Sequence, residues 1–191
     1  MKILVCISKT PDTTAKIAFT DNNTKFAGEG VQWIINPYDE WYALVRAIEL
    51  KEKEASTQIH LVTVGGADCD AILRKAFALG GDEAVRVNKE CTDSYEVAVQ
   101  IAEVAAEGGY DLILTGKETI DHNGSCIGAM VAELRDLPFI GLATRFEWNG
   151  SEAIVTREIE GGQETCSVAL PLVVSCQKGM SARALVGLHS L

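Results

Sequence analysis

The chain has 191 residues, 47% of them hydrophobic and 23% charged, with a formal net charge of −10. That length and composition support one globular core, while the acidic balance excludes the clustered Lys and Arg of a nucleic-acid footprint and disfavours attraction to an anionic membrane. No apolar run approaches the ~18 residues of a spanning helix, so no membrane insertion is expected.

In chain order, Lys2–Ser8 reads as a buried strand. Asp21-Asn22-Asn23 marks a turn before an extended stretch to Ile35. Helical spacing follows over Pro37–Lys53, with Trp41, Leu44, Val45 and Ile48 on one face. Gln58–Val64 is a second strand. Asp68–Leu79 is a second helix, with Gly80 placed as its C-terminal cap. Ala84–Val87 is a strand, Asp93–Glu107 a helix closed by Gly108-Gly109, and Tyr110–Thr115 a strand. A polar loop, Gly116–Ser125, leads into a helix at Ser125–Arg135. The pattern then changes to Phe139–Trp148, Ala153–Ile159 and Glu164–Leu170, separated by the hairpin dipeptides Asn149-Gly150 and Gly161-Gly162; Leu172–Cys176 returns to the sheet. The expected fold is a three-layer α/β/α nucleotide-binding fold, mainly parallel, with an antiparallel hairpin extension near the C-terminal end. Residues 1–180 form one domain and 181–191 a short tail.

The six cysteines, Cys6, Cys69, Cys91, Cys126, Cys166 and Cys176, form no C-x-x-C pair and have no zinc-like spacing with His60, His122 or His189. They read as reduced packing residues of a cytoplasmic protein, and no metal site is expected.

Open α/β sheets bind ligands beyond the carboxyl ends of their strands. Four segments fall there: Ser8–Thr13, Val64–Ala67, Ile35–Glu40 and Gly116–Ser125. Gly65-Gly66 either turns the chain or lets backbone approach a base or ribose. Asn36-Pro37 reads as a helix start, with Asn36 as cap and Pro37 at the first position; Asn36 could also bond a nucleotide. Gly124-Ser125 opens a helix whose free N–H groups suit a phosphate, and Ser125 adds a hydroxyl. Asp121 bonds a ribose or caps the turn. His122 reads as an exposed loop residue. Neither a G-x-G-x-x-G fingerprint nor a P-loop is present, and no nucleophile and base stand together, so an enzyme is not expected.

An ordered set of motifs begins with Met1–Val5 and Lys9-Thr10-Pro11-Asp12-Thr13-Thr14-Ala15-Lys16-Ile17 and continues through Asn36-Pro37-Tyr38-Asp39-Glu40 and Val62–Gly65. Leu73-Arg74-Lys75-Ala76, Asp111–Lys117 with Ile120-Asp121, Thr156–Gly162 and Leu170-Pro171 complete it. In this order and spacing the set resembles the electron-transfer flavoprotein β-subunit family. The resemblance implies a heterodimer in which an α subunit holds most of the FAD site and this chain binds AMP, or a second FAD in bifurcating relatives. By motif position, Cys6, Asn36, Pro37, Tyr38, Asp39, Val64, Gly116, Lys117, Asp121, Asn123, Gly124, Ser125, Cys126 and Ile127 would line the nucleotide site. Thr13, Tyr38, Arg157 and Glu158 would lie near the partner's flavin. Cys126-Ile127 stand where the family commonly has polar side chains, which leaves the backbone to hold the phosphate. The family's partner-recognition loop falls near the tail, where Leu185 or Leu188 would anchor a flavin dehydrogenase; the tail is shorter than the family's arm. A stand-alone adenine-nucleotide-binding module without a redox role is the alternative, and a hydrolase or ligase of the same broad fold ranks below both.

Overall fold

The computed structural model describes residues 1–181. Its elements are β1 (Lys2–Cys6), β2 (Lys9–Pro11), β3 (Phe19–Thr20), β4 (Lys25–Phe26), β5 (Trp33–Ile35), α1 (Asp39–Lys53), β6 (Gln58–Val64), a 3₁₀ turn (Ala67–Cys69), α2 (Asp70–Gly80) and β7 (Glu83–Val87). They continue with α3 (Ser94–Gly108), β8 (Leu112–Gly116), α4 (Ile127–Arg135), β9 (Phe139–Trp148), β10 (Ala153–Ile159), β11 (Gly162–Val168) and β12 (Leu172–Cys176). The main sheet has eight strands in the order β11-β10-β9-β12-β8-β1-β6-β7.

The five strands β12, β8, β1, β6 and β7 are mutually parallel, with β7 at the edge, and β9 joins them in parallel beside β12. Both faces of this sheet are covered, so β1 and β8 are almost continuously apolar. Ile3, Val5, Leu112 and Leu114 pack with α1 and α2, whose Trp41, Leu44, Ala47, Ile72 and Leu73 are buried in the same cluster. Leu4, Cys6 and Ile113 face the other way, onto Ala98, Ile101 and Ala105 of α3 and Val131 and Ala132 of α4. The expected three-layer fold is therefore present. β9, β10 and β11 form the antiparallel extension, and β11 is largely exposed at the sheet edge, as an antiparallel edge tolerates.

Several boundaries differ from the expected ones. α1 begins at Asp39 with Tyr38 in the cap position and no side-chain cap bond, so Asn36 does not cap it and Pro37 is not its first residue. α2 includes Gly80, and Gly81 follows as its cap in an extended conformation. α4 starts at Ile127, two residues later than expected. Asn123 and Ser125 have φ of 50° and 51°, a left-handed backbone that cannot belong to a right-handed helix.

The chain runs from β1 outward through β6 and β7 on one side, returns to β8 on the other, continues through β9, β10 and β11 to the far edge, and ends with β12 inserted between β8 and β9. The switch of direction lies between β1 and β8. There the connections leaving the carboxyl ends of two adjacent strands go to opposite sides and leave a crevice.

Candidate functional site

A cleft of about 670 Å³ occupies that crevice. Its walls come from the end of β1 (Cys6 to Lys9), the turn after β6 (Val64 to Gly66, with Asp68 and Cys69), the loop after β7 (Lys89 to Ser94) and the loop from β8 into α4 (Thr115 to Ile127). Of the expected nucleotide residues, Cys6, Val64, Gly116, Lys117, Asp121, Gly124, Ser125, Cys126 and Ile127 line it. Asn36, Pro37, Tyr38, Asp39 and Asn123 are not among its lining residues.

Asn36 has a different task. It is 0% exposed. Its amide nitrogen donates to the Glu118 carbonyl at 2.9 Å, and its amide oxygen accepts the Ile120 N–H at 3.1 Å. Its own N–H donates to the Ser8 carbonyl. The residue thus ties the loop after β8 to the loop after β1, across the back of the crevice. Asp39 adds a bond from the Glu118 N–H at 3.2 Å. Burial raises the Asp39 carboxyl above its ordinary value against the lowering pull of Lys117.

The loop after β8 is held from within as well. Lys117 Nζ lies 2.9 Å from Glu118 Oε1, and Ser125 Oγ donates to Glu118 Oε2 at 2.7 Å. These two partners, Lys117 first, pull the Glu118 carboxyl below its usual range. Ser125 is left-handed and Cys126 lies in the right-handed region, an alternation of hand of the kind found in backbone turns that bind anions. α4 has no side-chain cap, and the first N–H groups of a helix have no partner inside it. α3 also begins at the cleft, but Asp93 accepts the Glu96 N–H and closes that end. At the base of the loop, Thr115 is 2% exposed, lines the cleft, and its hydroxyl has no hydrogen-bond partner among the described residues. Such a group is costly unless something supplies a bond.

Two features escaped sequence reasoning. The loop after β7, with Lys89 to Ser94, forms a full wall of the cleft. The rule that selected the other carboxyl-end loops applies equally to the strand at Ala84–Val87 and would have found it. The second is Glu40, in the first turn of α1. It is 5% exposed and lines the cleft. Its carboxyl accepts the Ser8 N–H at 2.7 Å and the Ser8 hydroxyl at 2.6 Å. Burial, together with the charges of Asp121 and Asp39, pushes its pKa up to about 8 despite the Ser8 bonds.

That shift has a stability consequence. Folded Glu40 keeps a proton that the unfolded chain releases near 4.5, so its contribution to stability falls as pH rises from about 4.5 to 8. Glu40→Gln cannot ionise. Its stability relative to the parent should therefore climb across that window, by at most ~1.4 kcal/mol per pH unit. Urea denaturation at pH 5 and pH 8 measures it; an equal difference at both values would place the Glu40 pKa in the ordinary range.

Cys6 is buried at the cleft floor, and burial, reinforced by Glu40, raises its thiol, so it is inert packing rather than a nucleophile. A Cβ on Gly65 would come within 2.6 Å of Cys69 Sγ, so the turn itself requires that glycine. His122 is exposed at the cleft, with Nδ1 3.1 Å from a carboxylate oxygen of Asp121. No group of three or more His, Cys, Asp or Glu residues capable of holding a metal occurs among the described residues. No helix among them is long and apolar enough to cross a membrane.

The expected flavin-side residues are not among those lining the cleft, and of them Arg157 and Glu158 lie at the same end of the sheet as it. Gly116 is level with Cys176, Cys176 with Ala143, and Ala143 with Arg157. Arg157 Nε stands 3.1 Å from a Glu164 carboxylate oxygen. Glu158 accepts from Gln177 Nε2 at 2.6 Å. Tyr38 is 53% exposed immediately before α1, and Thr13 is an exposed residue of the loop after β2. Leu185 and Leu188 lie outside the described residues.

Comparison with known proteins gives one consistent family. The model of the electron transfer flavoprotein domain matches residues 23–185. A protein of Bacillus subtilis (strain 168) named electron transfer flavoprotein subunit beta is 39% identical over 185 residues, covering 95% of this chain and 70% of the relative. Its namesake in Syntrophomonas wolfei is 38% identical over 178 residues, covering 93% and 69%. The human protein of that name is 32% identical over 180 residues, covering 92% and 70%.

Proposed function

The chain belongs to the electron transfer flavoprotein family, and from that membership we propose that it is a β subunit which binds AMP in the cleft between β1 and β8 and completes the flavin environment of an α subunit. The observation that carries the nucleotide reading is the cleft at the switch point, which closes onto the uncapped end of α4. A phosphate there takes the N–H groups at Gly124–Ile127. The base and ribose extend toward Val64 to Gly66 and Lys89 to Ser94.

Charge favours a monophosphate. Of the three lysines that line the cleft, Lys9 and Lys117 pair with Asp68 and Glu118, which leaves Lys89 to offset the carboxyl groups of Glu40, Glu90, Asp93 and Asp121. A triphosphate would meet these four acids with that single lysine to set against them, whereas one phosphate on backbone N–H groups needs none. A second FAD in the AMP place is the other occupant that this cleft would be asked to hold.

Electron transfer is the flavin's chemistry, and the protein supplies binding, orientation and electrostatics. On this reading Tyr38, Thr13, Arg157 and Glu158 face the partner's flavin, and the chain itself carries out no catalytic step. A flavin dehydrogenase is the expected donor.

Co-expression with an α subunit of the family tests the assembly. The expected result is a stable one-to-one complex with one FAD, and AMP released on denaturation. A chain that purifies alone with AMP and captures no flavin subunit would instead be a stand-alone nucleotide module. The position of the phosphate is tested by a plug. Cys126→Trp should fill the cleft above α4 and reduce AMP affinity at least about a hundredfold, ~2.7 kcal/mol, whereas Cys126→Ala removes only a weak donor and should change it little. Normal AMP binding to a folded Cys126→Trp variant would move the phosphate elsewhere.

A further inference from the structure

The Ser8 corner is one edge of the cleft, and its shape depends on a single side chain. Glu40 holds it by two bonds, one to the Ser8 N–H and one to the Ser8 hydroxyl. The backbone and the base of the Glu40 side chain pack closely on Gly116, where a Cβ would lie 2.8 Å from Glu40 Cγ and 2.9 Å from Glu40 N. Glu40 therefore sits wedged between the carboxyl ends of β1 and β8. The charged groups around it are acidic. Asp39 precedes it on α1, Asp121 faces it from the loop after β8, and the buried Cys6 thiol adjoins it on β1. The nearby cations are engaged elsewhere: Lys9 of β2 with Asp68 and the Trp33 ring, and Lys117 with Glu118.

We propose that Glu40 is a positioning residue of the cleft, which sets the Ser8 corner and takes up a proton when an anionic ligand binds. This inference rests on the nucleotide reading of the cleft. A carboxylate and a phosphate sharing a low-dielectric crevice repel each other, and the proton removes that repulsion. The neutral acid still keeps both Ser8 bonds: its carbonyl oxygen accepts the N–H, and its O–H donates to the hydroxyl oxygen. The free carboxyl titrates near pH 8, so the linkage falls in the range where most carboxyl groups are fully ionised.

The test is AMP titration by calorimetry between pH 7 and pH 9, in two buffers of different ionisation enthalpy. The phosphate's own second ionisation, near pH 6, is about nine-tenths complete at pH 7 and is common to all variants. The parent should bind with proton uptake, and its affinity should fall about tenfold from pH 7 to pH 9. Glu40→Ala should lose at least about tenfold at pH 7 through the freed Ser8 corner. Glu40→Gln, which has an acceptor and a donor in the same places, should recover most of that loss and be flat with pH, without proton uptake. Carbon-13 shifts of labelled Glu carboxyls in the parent protein give a check that no variant's folding can confound: one Glu should titrate near pH 8 and move higher with AMP. Tight AMP binding with flat affinity and no proton uptake overturns the inference while leaving the nucleotide reading intact. Absence of AMP binding at every pH removes both.

Discussion

Gly116→Ala is expected to destabilise the protein by about 1–3 kcal/mol and to lower AMP affinity by at least tenfold. β8 ends at Gly116 with α1 pressed against it. The added methyl would lie 2.8 Å from Glu40 Cγ, 2.9 Å from Glu40 N and 3.1 Å from Asp39 Cβ. The backbone nitrogen cannot rotate away as a long side chain can, so α1 or the strand end must move. Either movement displaces Glu40 from Ser8 and shifts the loop that carries Lys117 and Glu118. The cost therefore reaches both stability and the cleft. Urea denaturation and AMP titration on the same sample measure the pair of effects. A variant as stable as the parent, with AMP affinity unchanged, would show that the two elements are not in close contact.

Asn36→Ala should be as damaging for a different reason. It deletes the two bonds that hold the loop after β8, leaving the Glu118 carbonyl and the Ile120 N–H without that partner. Unpaired buried groups cost about 1–3 kcal/mol each, so a loss of roughly 2–4 kcal/mol is expected after partial relaxation. Helix-cap loss alone would give ~1 kcal/mol and would leave the loop ordered. Amide hydrogen exchange separates the explanations. Exchange at Ile120 should accelerate strongly in the variant, while the first turn of α1 changes little. Fast exchange confined to the start of α1, with Ile120 still protected, would restore Asn36 to the role of a cap.

These two sites show what was legible in the chain and what was not. The alternation of strands and helices was readable because burial imposes periodicity: β1 and β8 are continuous apolar runs because both their faces are covered, and α1 keeps Trp41, Ala43, Leu44 and Ala47 buried on one side. The place of β12 between β8 and β9 was not readable. Leu172–Cys176 is an apolar run that would fit beside any buried strand, and pairing is decided by the whole sheet. Asn36-Pro37 reads locally as a helix start, and only contacts 82 and 84 residues away reveal its actual work. The start of α4 was placed early because the left-handed torsions at Asn123 and Ser125 leave no mark in the hydrophobic pattern.

The candidate site divides in the same way. The segment from Gly116 to Ile127 could be found because a polar loop between an apolar strand and a helix is itself a signal. Glu40 could not be told from any acidic residue that favours a helix N-terminus. Its role depends on burial and on Ser8, neither of which the spacing of residues discloses. Thr115 likewise ends an apolar strand, and its unpartnered hydroxyl is visible only once the surrounding loops are in place.

The central claim is that AMP occupies the crevice between β1 and β8, and the most direct measurement is an amide chemical-shift map of the labelled chain titrated with AMP. Saturable shifts should concentrate at Cys6 to Lys9, Val64 to Gly66, Lys89 to Ser94 and Thr115 to Ile127, with the largest changes at Gly124 to Ile127. Shifts spread over β10 and β11, or centred away from these four loops, would contradict it.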